Sequence, residues 1–174
     1  MDIRKATGQD VEELAAIGKQ TFAETFSSQN SEENMNAYLE SGFSIQKLEA
    51  ELADPDTDFY FAELNGKTIG YLKVNTGNSQ TELKDKNALE IERIYVLKKF
   101  HGKKVGQILF EKAIELASEK NLEYVWLGVW EQNPRAIRFY EKNGLEAFDK
   151  HIFKLGNDEQ IDIMMRRKIR TGDL

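Results

Sequence analysis

A single α/β domain built on a mixed sheet is the fold class this chain predicts, and three observations carry it. Seven short segments of apolar or alternating character, at 2–5, 59–64, 67–74, 89–97, 124–130, 148–155 and 160–166, are interleaved with stretches of helical period. The pair Asn65-Gly66 separates two of these segments and is the strongest short-range sign of a tight β-hairpin. From Leu89 onward the order strand–helix–strand–helix–strand–strand gives a mixed sheet with helices packed on it. One domain over 1–170, with a tail at 171–174, accounts for all 174 residues.

Each element has a local cause. Asp2 to Lys5 reads as a first strand, and Thr7-Gly8-Gln9-Asp10 has the spacing of a capping box ahead of a helix with Val11, Leu14, Ala15, Gly18 and Phe22 on one stripe. Ser31 is placed to cap a second helix through Tyr38 and Leu39, closed by Gly42, and Ser44 a third through Leu52, stopped by Asp54-Pro55-Asp56. The polar stretch from Gly77 to Asn87 reads as a loop. Leu89 to Leu97 is a strand. Strict alternation puts Leu89, Ile91, Arg93, Tyr95 and Leu97 on one side, and Glu90, Glu92, Ile94 and Val96 on the other. In the next helix Val105, Leu109, Ala113 and Leu116 share the face that packs on the sheet. Asn133-Pro134 opens a last helix, since Asn is a favoured cap and Pro at the first helical position sacrifices no hydrogen bond; Asn143-Gly144 closes it. Gly156-Asn157-Asp158 turns between the two closing strands, and Arg166-Arg167-Lys168 reads as a solvated strand end.

Composition narrows the function. Hydrophobic residues make up 40% and charged residues 31%, a globular balance, and no apolar run has the length of a membrane span. The N-terminal Met1-Asp2-Ile3-Arg4-Lys5 lacks the apolar core of a signal peptide. The absence of cysteine removes disulfides, a thiol nucleophile and Cys-ligated metal, and suits a reducing cytoplasm. With two histidines, His101 and His151, no His-built metal site is expected. A net charge of −6 argues against nucleic acid as partner and fits a cationic substrate.

The segment Phe100-His101-Gly102-Lys103-Lys104-Val105-Gly106 joins a strand to a helix start. Such a turn exposes backbone N–H groups toward the positive end of the helix dipole, a device for holding phosphate. It is neither a P-loop, lacking the Ser or Thr that would hold magnesium, nor a dinucleotide fingerprint, lacking the third glycine. Further on, Asn133-Pro134-Arg135-Ala136-Ile137-Arg138-Phe139-Tyr140 follows a second apolar strand. With both segments at this separation, the chain resembles the GNAT superfamily of acetyl-CoA-dependent N-acyltransferases. Thr21-Phe22 to Thr25-Phe26, Asn34-Met35 to Tyr38-Leu39-Glu40-Ser41, Leu89 to Tyr95 and Trp126 to Glu131 bring it nearest to the PaiA-type spermidine/spermine N-acetyltransferases.

That resemblance implies a mostly antiparallel central sheet of about seven strands, acetyl-CoA as co-substrate and transfer of its acetyl group to a primary amine of a polyamine by direct attack. It implies cofactor contacts from the backbone of Ile94, Tyr95 and Val96, from the turn His101, Gly102, Lys103, Lys104, Val105, Gly106 and Gln107, and from Asn133 and Tyr140. His101 stands where the family usually has Gln or Arg, and Lys104 where it has its first glycine. Lys104 is expected at a negative φ, as part of the helix already begun. A small-molecule amine is the expected partner, with neither nucleic acid nor membrane; a homodimer is left open.

Chemistry supplies the roles. An alkylammonium with a pKa of about 10.4 must lose a proton before it attacks, and the departing thiolate must gain one. Glu92 is the expected base, with Glu90 on the same side as substitute; a carboxylate near pKa 4.3 needs burial to raise it for that task. Tyr140, a phenol that stays protonated at neutral pH, is the expected acid. Asn133 and Tyr140, seven residues apart on one helix face, lie roughly 10 Å apart along its axis at about 1.5 Å per residue, suited to two contacts on one extended ligand. Glu24, Glu33 and Tyr38 of the first helices, with Glu92 and Trp130, are the expected polyamine contacts, carboxylates for ammonium groups and aromatic faces for cation–π attraction. Two other functions remain: acetylation of protein or peptide N-termini, and a non-catalytic acyl-CoA sensor.

Overall fold

The computed structural model describes residues 1–169. In chain order it contains β1 (Asp2–Lys5), α1 (Val11–Phe26), α2 (Glu32–Gly42), α3 (Ile45–Ala53), β2 (Thr57–Leu64), β3 (Lys67–Asn75), β4 (Ala88–Val96), α4 (Val105–Glu119), β5 (Tyr124–Trp130), α5 (Pro134–Lys142), β6 (Glu146–Leu155) and β7 (Asp158–Lys168). Each expected helix and strand is present, with ends moved by a few residues. The tail at 171–174 lies outside the described residues. The seven strands form one sheet in the order β1-β2-β3-β4-β5-β7-β6, antiparallel at every junction except β4–β5.

Local chemistry sets the element ends. Thr7 and Asp10 form the capping box, with the Thr7 N–H donating to the Asp10 carboxylate at 2.8 Å. Ser31 accepts from Asn34 N–H at 3.1 Å, Ser44 from Lys47 N–H at 3.2 Å and Asn133 from Ala136 N–H at 3.2 Å. Each satisfies one donor that a helix start leaves without an intrahelical partner. In the β2–β3 turn Asn65 has φ 53° and Gly66 φ 78°, the left-handed pair that a type I′ hairpin demands.

The parallel junction places the site. β4 and β5 pair over Ala88↔Tyr124, Leu89↔Val125 and Glu90↔Trp126, and then separate while both strands continue. Past Glu90, β4 keeps its ladder to β3 and loses its neighbour on the other edge. A wedge-shaped gap therefore opens between β4 and β5, with main-chain groups on its β4 wall.

One irregularity departs from the expected alternation. Lys73 opposes Arg93 and Val74 opposes Ile91, so Glu92 is an extra residue in the ladder. A bulge of this kind turns successive side chains toward the same side. Glu92 and Arg93, expected on opposite faces, stand 3.6 Å apart, and Arg93 lies over the Phe43 ring at 4.5 Å.

The main core runs between the sheet and the helices, with Leu14, Phe22, Leu48, Phe61, Leu72, Leu109, Phe110 and Ala113 buried in it. A smaller cluster holds Ala88, Trp126 and Met164. There the Trp126 indole N–H donates to Gln80 at 2.7 Å and pins the 77–87 loop against the sheet. On the other side Asn34 donates to Asp158 at 2.9 Å, and Tyr38 meets Phe153 edge-on, which holds α2 against the β6–β7 hairpin.

Candidate active site

The gap between β4 and β5 opens into a cleft of about 1310 Å3, reaching from the start of α4 and α5 to the β6–β7 hairpin. At the α4 end, the first intrahelical bond runs from Ile108 N–H to the Lys104 carbonyl at 3.1 Å. The N–H groups of Val105, Gly106 and Gln107 precede it and have no helical acceptor, so they face the cleft mouth as a ready anion site. Lys104 itself has φ 66° and ψ 13°. The expected negative φ is therefore corrected: Lys104 caps the helix from the left-handed region, where an L side chain is disfavoured and glycine is at ease. Gly102 is also left-handed, at φ 78°. His101 accounts for its own position. Its Nε2 lies 2.8 Å from the Val96 carbonyl and ties the turn back to the end of β4.

The β4 wall can be oriented from one bond. Leu97 N–H donates to Ile69 on the β3 side at 2.9 Å. Because amide direction alternates along a strand, the main-chain groups of Ile94 and Val96 point into the gap, while those of Tyr95 join the β3 ladder. Of the three residues expected there, Ile94 and Val96 thus turn main-chain groups into the gap and Tyr95 does not. Tyr95 contributes its ring, which packs on Tyr71 at 6.2 Å.

On α5, Asn133 caps the helix through its carbonyl oxygen and borders the cleft. Tyr140 is 7% exposed and packs on Phe139 and Phe110. Burial pushes its phenol above the ordinary range, so it is protonated at any physiological pH. Gln107 and Asn143 exchange two amide hydrogen bonds, at 2.9 and 3.1 Å, and lock the start of α4 to the end of α5. Of the expected turn residues, Lys103 does not border the cleft; its ammonium lies over the Phe100 ring at 5.7 Å.

At the other end the expected residues divide. Tyr38, Glu92 and Trp130 line the cleft, with Tyr38 stacked on Phe22 and Trp130 tilted against Phe26. Glu24 and Glu33 do not: Glu24 accepts from Lys98 N–H at 3.0 Å, and Glu33 is exposed on α2. Glu92 accepts from Asn75 at 2.8 Å and meets Lys73 at 2.9 Å. Burial raises its pKa, but Lys73 and Arg93 outweigh that, and the net shift is downward. The expectation that burial would raise Glu92 is thus reversed, because the buried Lys73 reaches it across the β3–β4 ladder. Glu90 moves the other way, raised by burial against hydrogen bonds from Asn75 and Thr81.

Three cleft residues escaped sequence reasoning. Asp162 of β7 stands opposite Trp130 in the β5–β7 register, and burial pushes it up to about 6 against the lowering influence of His151. His151 of β6 is 3.0 Å from Glu82 of the 77–87 loop. One signal was available for Asp162, an acidic residue inside the otherwise apolar run Ile161-Asp162-Ile163-Met164-Met165. Among the described residues no cluster has the makeup of a metal site, and no helix is long and apolar enough to cross a membrane.

A helix start whose first amides lie outside the helical ladder, an open strand edge and a buried phenol in one cleft make the frame of an acyl-CoA-dependent transferase. The chain belongs to the acetyltransferase (GNAT) family, whose model matches residues 19–145. It is an acyltransferase with acetyl-CoA as co-substrate. It is 41% identical over 167 residues to an uncharacterised N-acetyltransferase from the pepI 3′ region of Lactobacillus delbrueckii subsp. lactis, covering 96% of each chain. It is 27% identical over 175 residues to the spermidine N(1)-acetyltransferase of Thermoplasma acidophilum, covering 98% of this chain and 99% of that one. The crystal structure of the PaiA N-acetyltransferase from the same organism, in complex with coenzyme A, superposes with a TM-score of 0.80 at 25% identity. That match covers 96% of this chain and 98% of the other.

Proposed function

We propose that this acetyltransferase acts on a primary amine of a polyamine such as spermidine or spermine, by direct attack on acetyl-CoA in a ternary complex. The observation that carries the reading is the lining of the acceptor end. There Glu82, Glu90, Glu92 and Asp162 meet the aromatic rings of Tyr38, Trp130 and Phe153 in one cleft. A polycation needs separated carboxylates and aromatic faces, and an anionic acceptor would be repelled by the carboxylates. The spermidine-acetylating relative, which the chain matches nearly end to end, supports the same substrate class.

In this reading the N–H groups of Val105, Gly106 and Gln107 receive the pyrophosphate, assisted by Gly102, His101 and the charge of Lys104. The Ile94 and Val96 backbone pairs with the pantetheine arm as an added strand would, and Asn133 reaches it through its amide. Tyr140 donates toward the sulfur as negative charge develops there. Glu92, held ionised by Lys73 and Arg93, is a fixed negative charge facing the acceptor.

The test is thiol release from acetyl-CoA with spermidine, spermine, simple monoamines and N-terminal peptides. The reading expects the polyamines to give the highest kcat/KM. Faster turnover of peptides would replace the polyamine reading with N-terminal acetylation, and binding of acetyl-CoA without turnover of any amine would leave a sensor.

A further inference from the structure

We propose that Asp162 is the catalytic base, the carboxylate that meets the acceptor's ammonium and takes its proton. This rests on the reading of the cleft as an amine-acetylating site and goes beyond it by displacing Glu92 from that role.

The argument begins with which carboxylates have partners. Glu92 is committed to Lys73, Arg93 and Asn75, and Glu90 to Asn75 and Thr81. Glu82 is bridged by His151. Among the described residues, no hydrogen bond or ion pair engages the Asp162 carboxylate, although it is partly buried and lines the cleft. A carboxylate left in that state is unfavourable unless a cation completes it.

Position gives the second part. Asp162 belongs to β7, one strand beyond the gap, and it reaches the gap because β5 carries glycine at position 128. A Cβ on Gly128 would stand 3.4 Å from Asp162 Oδ2. With no side chain there, the carboxyl lies over β5 at the stretch where that strand has parted from β4. Trp130, opposite Asp162 in register, supplies an aromatic wall against Phe26.

The titratable groups around it are His151 on β6, Glu82 on the 77–87 loop behind it, Glu90 and Glu92 on β4 and Tyr38 on α2; Trp126, Gly128 and Trp130 of β5 carry no charge. Burial, opposed by His151, moves Asp162 toward neutrality, the range in which a general base is most effective.

The step balances as follows. The ammonium gives one proton to Asp162, and the freed lone pair forms the C–N bond at the thioester carbonyl carbon. The C–S bond breaks with its electron pair on sulfur. A second nitrogen proton reaches sulfur by way of the Tyr140 hydroxyl, and the third stays on the amide. Asp162 then releases its proton to solvent.

The test is the pH profile of kcat/KM, measured with whichever amine turns over fastest, for the wild type, Asp162→Asn, Glu92→Gln and His151→Gln. The wild type is expected to show an acid limb near pH 6. Asp162→Asn should lose that limb and fall by about 100-fold or more, with acetyl-CoA affinity unchanged. Glu92→Gln should keep the limb, and His151→Gln, which needs no change at Asp162 itself, should move it to higher pH. Wild-type rate and limb in Asp162→Asn, a limb unmoved in His151→Gln, or a limb lost in Glu92→Gln would each overturn the assignment. A fastest amine that is not a polyamine removes the polyamine reading alone. Absence of turnover with every amine and peptide in the wild type removes the amine-acetylating reading and this assignment with it.

Discussion

The Lys73 ammonium stands 2.9 Å from the Glu92 carboxylate and 3.1 Å from that of Glu51, with Lys73 only 4% exposed. This pairing fixes the charge of Glu92 and ties α3 to the wall of the cleft. Lys73→Met is expected to destabilise the protein by about 3 kcal/mol, the low end for breaking a buried pair, because Arg93 remains beside Glu92. Urea unfolding measures it. The sign of the pH dependence follows from the downward shift of Glu92. Its contribution is complete above the unfolded carboxylate value of about 4.3 and is lost as pH falls through the lower folded value. The wild type should therefore lose stability more steeply below about pH 4 than Lys73→Met.

Tyr140→Phe removes a hydroxyl and keeps the ring packed on Phe110 and Phe139. Turnover is expected to fall by about 100-fold while the dissociation constant for acetyl-CoA and the melting temperature stay near wild type. Single-turnover kinetics beside a binding titration check this; an unchanged chemical rate would remove Tyr140 from the role.

Asn133 caps α5 and, in the proposed reading, also holds the cofactor, and substitution can separate the two. Asn133→Ala should cost about 1 kcal/mol through loss of the cap and also weaken acetyl-CoA binding. Asn133→Ser restores the cap but not the amide, so stability should return while affinity does not. Recovery of both would leave capping as its whole contribution.

Lys104→Gly tests the left-handed turn. An L residue there costs about 1–2 kcal/mol, against about 0.5–1 kcal/mol for the extra freedom of an unfolded glycine. A net gain of about 0.5–1 kcal/mol is expected in urea unfolding; a loss would mean that the Lys104 side chain makes a compensating contact.

What the sequence revealed was governed by short-range chemistry. Asn65-Gly66, Asn133-Pro134, Ser31, Ser44 and the Thr7 box each act within four residues, and each was legible. The strand-to-helix turn before α4 and the Asn133-to-Tyr140 segment were legible as motifs, though the turn's cap conformation was not, because the helix begins one residue later than Lys104. The bulge at Glu92 depends on how β4 is held against β3, and it brought Arg93 to the side where alternation forbade it. Lys73 and Asp162 lie far in sequence from the residues they serve. Lys73 meets Glu92 through the β3–β4 ladder, and Asp162 meets the cleft through β7 and a glycine on β5, relationships that only the sheet order creates. Glu24 and Glu33 were misjudged for the converse reason, as acidic positions on α1 and α2 whose helices turn them away from the cleft.

The most direct test of the account is an initial-velocity experiment in which acetyl-CoA and spermidine are both varied and the product is identified by mass. Direct transfer in a ternary complex predicts intersecting double-reciprocal lines and a singly acetylated spermidine. Parallel lines, or the absence of acetylspermidine under conditions where acetyl-CoA binds, would contradict it.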